Sequence, residues 1–166
     1  MKFKPHKGII KSHEVFLELE KLHDKAIDVF QIEIGRMGCE AKRFGLERRY
    51  SKKWYYADYR PDFKVECRGG RKFLVDVKAK IARGVADISE IKHTYANVRH
   101  VKGYLKASKE TGLEVWLFIV FFDEFGYMLG HKWFNVNKIE WDKLEKARMW
   151  DGNLVYVIPL SLSSTP

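Results

Sequence analysis

Two carboxylates and a lysine stand out by type and spacing. Asp62 follows Pro61 in the run Tyr59-Arg60-Pro61-Asp62-Phe63. Asp76 stands two residues before Lys78 in Phe73-Leu74-Val75-Asp76-Val77-Lys78. Residues two apart on a strand share a face, so Asp76, Lys78 and Leu74 point one way and Phe73, Val75 and Val77 the other. Phe63-Lys64-Val65-Glu66-Cys67 alternates apolar and polar, and Arg68-Gly69-Gly70-Arg71 reads as a tight turn because glycine supplies positive φ. Phe73 to Val77 is β-prone and mostly apolar, as a buried central strand is. A hairpin built this way brings Asp62 beside Asp76. Two converging carboxylates make a hard oxygen site suited to Mg2+ or Mn2+. An adjacent ammonium can stabilise phosphate charge or position an attacking water. Neither fragment says this alone: Pro-Asp is an ordinary turn dipeptide, and Asp-x-Lys on a strand is often a solvated ion pair.

The surrounding pattern supplies elements to hold such a hairpin. Ser12 is a good N-cap for a first helix, with Val15, Leu19 and Leu22 at helical spacing and Phe16 widening the face. Ile27 to Ile34 fits either an extension of that helix or an edge strand. Glu40 to Tyr50 reads as strand-like and very basic. After Lys78 the chain turns at Gly84. Asp87 or Ser89 caps a long helix over 87–110, with Ile91, Tyr95, Val98, Val101 or Lys102, and Leu105 inside, and Gly112 at its end. Leu113 to Phe122 is the next central strand, and Asp123 to Gly126 turns it into Tyr127 to Phe134. A short helix over Ile139 to Met149 and a strand over Leu154 to Leu160 follow. The expected organisation is one domain over 1–166, with a core over about 12–122, an extension over about 123–160 and a frayed tail over 161–166.

Composition narrows the class. The chain has 166 residues, 46% of them hydrophobic, enough for one domain with a core. Its net charge is +9, from 31 Lys and Arg against 22 Asp and Glu, which favours an anionic partner over simple solubility once a carboxylate pair is also present. The longest apolar run, Val115 to Phe122, is too short to span a bilayer. The basic start lacks a following apolar stretch, so neither a signal peptide nor a membrane partner is expected. Cys39 and Cys67 read as unpaired thiols in a reducing cell interior, and the expected location is cytoplasmic. There is no Gly-rich phosphate loop, no G-x-S-x-G and no zinc-ligand spacing. Arg43, Arg48, Arg49, Lys52 and Lys53 surround Trp54, Tyr55 and Tyr56. That mixture suits either a nucleic-acid surface or a solvated strand pair with core aromatics. Lys138, Lys143, Lys146 and Arg148 form a second basic set.

In this order, with the Gly69-Gly70 turn between them, the two fragments resemble the signature of the PD-(D/E)xK nuclease superfamily. Tyr59-Arg60-Pro61-Asp62-Phe63 is especially similar to the Y-x-PDF form of phage and transposon-end endonucleases. The resemblance implies an α/β, restriction-endonuclease-like αβββαβ core. It implies a mixed central sheet flanked by helices, here followed by a C-terminal α/β extension. It implies that Asp62 and Asp76 ligate the metal with the backbone carbonyl of Val77. Lys78 would then contact the scissile phosphate or the nucleophilic water. The relatives also carry a carboxylate on the first helix. Lys11-Ser12-His13-Glu14 is similar but sets Glu14 one residue early, so Glu18, one turn on, stands as the alternative. Either also reads as an ordinary exposed helix acid. His100 and Tyr104 resemble a Q-x-x-x-Y element with His in place of Gln. Lys92 and His93 are further candidate phosphate contacts, and Arg48, Arg49, Lys52, Lys53 and Arg60 candidate nucleic-acid contacts. The implied activity is a Mg2+- or Mn2+-dependent DNA endonuclease, with a homodimer as one way to cut both strands. The alternative is an inactive nuclease-fold DNA-binding or accessory protein of a mobile element or virus. A third reading, an RNA-directed nuclease, has no feature that reads the 2′-OH to support it.

Overall fold

The computed structural model describes residues 13–44 and 59–166, with side chains from Leu19 onward in the first helix. Helix α1 (His13–Arg36) leads into strand β1 (Cys39–Arg43). Strands β2 (Phe63–Cys67) and β3 (Lys72–Ile81) form the expected hairpin. Its turn uses Gly69 at φ 90° and Gly70 at φ 93°, and Gly70 N donates to Cys67 O at 3.0 Å. Strand β4 (His93–Asn97) and helix α2 (Val98–Thr111) cross over to β5 (Val115–Phe122), and β6 (Met128–Asn135) returns beside it. Short strands β7 (Lys146–Arg148) and β8 (Leu154–Pro159) follow.

The central sheet runs β1-β2-β3-β5-β6. It is mixed: β3 and β5 are parallel and the other neighbours antiparallel. A parallel pair needs a crossover connection, which β4 and α2 supply. Helix α1 covers one face. Leu22, Ala26, Phe30 and Ile34 recur every fourth residue and pack on Phe63, Val65, Phe73, Val75, Val77 and Phe118. The opposite face, carrying Leu74, Leu117, Ile119 and Phe134, is covered by α2 and by a second sheet, β4-β8-β7. The fold is thus α/β with a mixed central sheet between helices. Residues beyond 122 supply one edge of the central sheet and two strands of the second.

Several expectations are corrected. The segment 27–34, open between helix and strand, is helix: every fourth residue is buried, so the apolar stripe continues to Ile34. The long helix over 87–110 is instead a 3-10 turn at Ile88–Glu90, strand β4, and a helix that begins only at Val98. Asp87 does act as a cap, accepting from Ser89 N at 3.1 Å, but the turn it closes stops after three residues. Thr94 and Ala96 then bury alternately against β8, and Asn97 caps α2 by accepting from Arg99 N at 2.8 Å. Leu105 accordingly faces outward and Tyr104 inward. The helix over 139–149 is a 3-10 turn at Trp141–Lys143 followed by β7, because pairing with β8 uses the backbone groups a helix would need. The tail is tied down as far as Ser164, whose N donates to Trp133 O at 2.9 Å. Cys39 and Cys67 are a disulfide pair, not unpaired thiols: β1 and β2 set them directly opposite each other. No helix among the described residues is long and apolar enough to cross a membrane.

Candidate active site

The β2–β3 register sets Phe63 opposite Val75, so the next pair along the hairpin is Asp62 beside Asp76. The ladder ends there. Asp62 Oδ2 takes over its role, accepting from Val77 N at 3.1 Å. Asp76 is 1% exposed and lies on the Leu74 face, against α2. Its Oδ2 accepts from Tyr104 Oη at 2.5 Å and pairs with Lys78 Nζ at 3.1 Å. Its Oδ1 is buried without a hydrogen-bond partner among the described residues. Unsatisfied buried carboxylate oxygens are rare because the lost hydration costs several kcal/mol, on the order of 1–3 or more.

The electrostatics separate the two acids. Burial raises the Asp62 pKa, the neighbouring Asp76 raises it further, and Lys78 opposes, leaving it at about 7. Burial would also raise Asp76, but Lys78 and the Tyr104 hydroxyl outweigh it and hold this carboxyl below its ordinary value. Two close carboxyls cannot both ionise cheaply, so Asp62 is the one that holds a proton up to about pH 7. Burial works to lower the Lys78 pKa, and Asp76 with Tyr59 outweighs it, so Lys78 stays charged. Tyr104 is driven well above its usual value, first by burial and then by Asp76, and keeps its donor proton.

The structure also recruits residues to which the sequence reading gave no role. Lys80 follows Asp76 and Lys78 on the same strand face, and burial, then Lys78, lowers its pKa to about 8. The alternation Asp76-x-Lys78-x-Lys80 was visible, so this cation could have been found. From α1, His23 brings Nε2 within 3.2 Å of Val77 O. Nothing in the sequence marks that contact, because it depends on how α1 lies across β3.

The remaining candidates distribute as follows. Tyr104 joins Asp76 directly. His100 stacks on Tyr59 with ring centroids 3.5 Å apart, and burial, then Lys78, lowers its pKa to about 3, so the imidazole is neutral. Arg60 is engaged by Glu110 at 3.3 Å and lies over the Phe44 ring at 5.7 Å. This makes it a strut between the Pro61 segment and α2. Arg43 covers the Phe63 ring at 4.5 Å. Lys92 donates to Ser89 O at 3.4 Å, and His93 is exposed opposite Pro159. Of the second basic set, Lys143 pairs with Glu140, Lys146 lies over Tyr156 and Arg148 donates to Gly152 O. The side chains of Glu14 and Glu18 lie outside the described residues, as do Arg48, Arg49, Lys52 and Lys53. Among the described residues no three His, Cys, Asp or Glu side chains converge on one point.

A similar solved structure is that of Hjc, a Holliday junction resolvase from the archaeal hyperthermophile Archaeoglobus fulgidus. The two share 13% identity over 84% of this chain and 85% of that one, with a TM-score of 0.47. No family model and no curated protein matches the chain.

Proposed function

We propose that this chain is a DNA endonuclease that hydrolyses phosphodiester bonds with a bound Mg2+ or Mn2+. The observation that carries the reading is the juxtaposition of half-buried Asp62 with buried Asp76, whose Oδ1 has no hydrogen-bond partner among the described residues and which Lys78 contacts. Two adjacent carboxyls that share one lysine as counter-charge, with Asp76 Oδ1 lacking a hydrogen-bond partner among the described residues, fit a hard divalent cation. Asp62 and Asp76 would hold the ion, with the Val77 carbonyl as a third oxygen. His23 now donates to that carbonyl or flanks it, according to its tautomer. When bound, the ion supplies Lewis acidity and lowers the pKa of coordinated water.

The chain's own groups do the rest. Tyr104 fixes the Asp76 rotamer through its hydroxyl. Lys78 offers a charged donor to a phosphate oxygen or to the attacking water, and Lys80 adds a second cation on the same strand face. The outer side of α2 exposes Arg99, Lys102 and Lys109. They share one helical stripe and suit a phosphate backbone leading to the site. Cutting both strands of a duplex takes two such sites, for which a symmetric dimer is the simplest arrangement.

The test is cleavage of labelled duplex, branched and single-stranded DNA with Mg2+, Mn2+ or EDTA, with Asp76→Ala alongside. The expected outcome is metal-dependent cleavage that falls by at least about a thousandfold in Asp76→Ala. Binding without cleavage under every metal would instead support a non-catalytic DNA-binding module.

A further inference from the structure

We infer that Tyr59 is a positioning residue for Lys78, and that Gly103 on α2 exists to let it take that place. The inference rests on the nuclease reading in one respect only, that the Lys78 ammonium acts on the phosphate or the water.

The Tyr59 ring is loaded on both sides. His100 is stacked against it at 3.5 Å with only 18° between the planes, which fills one face. Lys78 Nζ lies over the ring at 4.9 Å from its centroid, and only the opposite face has room for it. A cation within about 6 Å of an aromatic face is attracted by the ring quadrupole. Tyr104 meets the same ring edge-on at 6.1 Å, so the tyrosine is held by three neighbours at the site.

The backbone beneath it is held as closely. A Cβ built on Gly103 would fall 2.0 Å from Tyr59 O and 2.7 Å from Tyr59 C. No side chain fits between α2 and this segment. Glycine lets backbones approach where any other residue would block them. Arg60 then ties the segment to Glu110, farther along α2. The strap that ends in Pro61-Asp62 is therefore seated on α2 by contacts that also fix the Tyr59 ring.

A lysine has four side-chain torsions, and this one also pairs with Asp76 Oδ2 at 3.1 Å. That oxygen belongs to the carboxylate offered to the metal, so cation binding draws its electron density away from Lys78. The Tyr59 face makes no such competing bond. It keeps the ammonium in place when the Asp76 contact weakens.

Two measurements on the full chain test this. The first needs neither metal nor activity. In 13C-lysine-labelled protein, the ε-CH2 signal of Lys78, assigned by its loss in Lys78→Arg, is expected upfield from the ring current. It should stay there in Tyr59→Phe and return to the bulk lysine position in Tyr59→Leu. Gly103→Ala, which keeps the ring but displaces its backbone, should move it part of the way. The second is kinetic. Tyr59→Leu should lower kcat roughly tenfold, the loss of a partly desolvated cation–π contact. Tyr59→Phe should stay within about twofold of the parent, with KM for DNA little changed in both. Mn2+ affinity should be the same in all three. An unshifted Lys78 signal in the parent, or a Tyr59→Leu variant with full kcat, overturns the inference. So does a loss that Phe does not rescue. If the parent protein cuts no DNA, the nuclease reading fails by itself, and the lysine spectrum still decides where Tyr59 holds Lys78.

Discussion

Asp62 sits where its charged form is disfavoured. Its pKa is raised from 3.8 to about 7 by burial and by Asp76. Between these values the native state keeps a proton that the unfolded chain has lost, so stability falls as pH rises through that window and levels off above it. Asp62→Asn cannot titrate and keeps an oxygen to accept from Val77 N. It should therefore match the parent near pH 4 and exceed it by about 2–4 kcal/mol at pH 8, measured by urea unfolding at both pH values. A variant equal to the parent across the range would show that Asp62 is not strained by its neighbours. The strain has a reason at this scale. Two carboxyls that share a single lysine repel each other, and a divalent cation between them would relieve that repulsion. What was legible here was the shared face of Asp76 and Lys78, because side-chain alternation on a strand is local; the same alternation reaches Lys80, which the reading passed over. The Tyr104 hydroxyl on Asp76 was not, since it spans 28 residues and depends on where α2 lands.

The β2–β3 hairpin is the element on which the site is built, and it followed from sequence because its determinants are all within it. The alternation in 63–67, two glycines at positive φ and a β-branched, apolar return strand agree with one another. The segment 87–97 shows the opposite case. Its apolar residues suit a helical period, and Asp87 is a real cap. Yet β4 forms because β8, more than fifty residues later, offers a partner: His93 pairs with Pro159 and Asn97 with Val155. Tertiary pairing overrides local propensity in such places. The Cys39–Cys67 bridge is a second consequence of pairing, joining β1 to β2 across a sequence separation of 28. A cross-link closing a loop of that size restricts the unfolded chain by about 3.5 kcal/mol. Reduction should therefore lower the melting temperature by roughly 7–14 °C, and a Cys39→Ala/Cys67→Ala double variant should be insensitive to reductant. Identical melting of the parent with and without reductant would show the bridge to be absent in solution.

On the scale of the whole molecule, charge and architecture act together. The chain carries a net charge of +9, and part of its basic surface is ordered along α2. Arg99, Lys102 and Lys109 line the outer face of the helix whose inner face carries Tyr104. A phosphate backbone lying along that stripe releases counterions, so DNA affinity should fall with salt at a log–log slope of about −0.9 per contact. Lys102→Glu/Lys109→Glu should reduce the magnitude of that slope by about 2, measured by fluorescence anisotropy between about 50 and 200 mM salt. An unchanged slope would place the DNA on another face.

By itself the sequence determined the motif hairpin, the class of fold and the chemistry its carboxylates suit. Alternation, glycine turns and net charge are properties of neighbouring residues or of the whole composition. Only the tertiary structure decided how α1 and α2 clamp the hairpin. It brought His23 to Val77, Tyr104 to Asp76 and Tyr59 between His100 and Lys78. It also closed Cys39 on Cys67. Each of these contacts joins residues from different elements. Their meeting depends on strand register and helix packing, which are settled by burial of the whole core and leave no periodic trace in the chain.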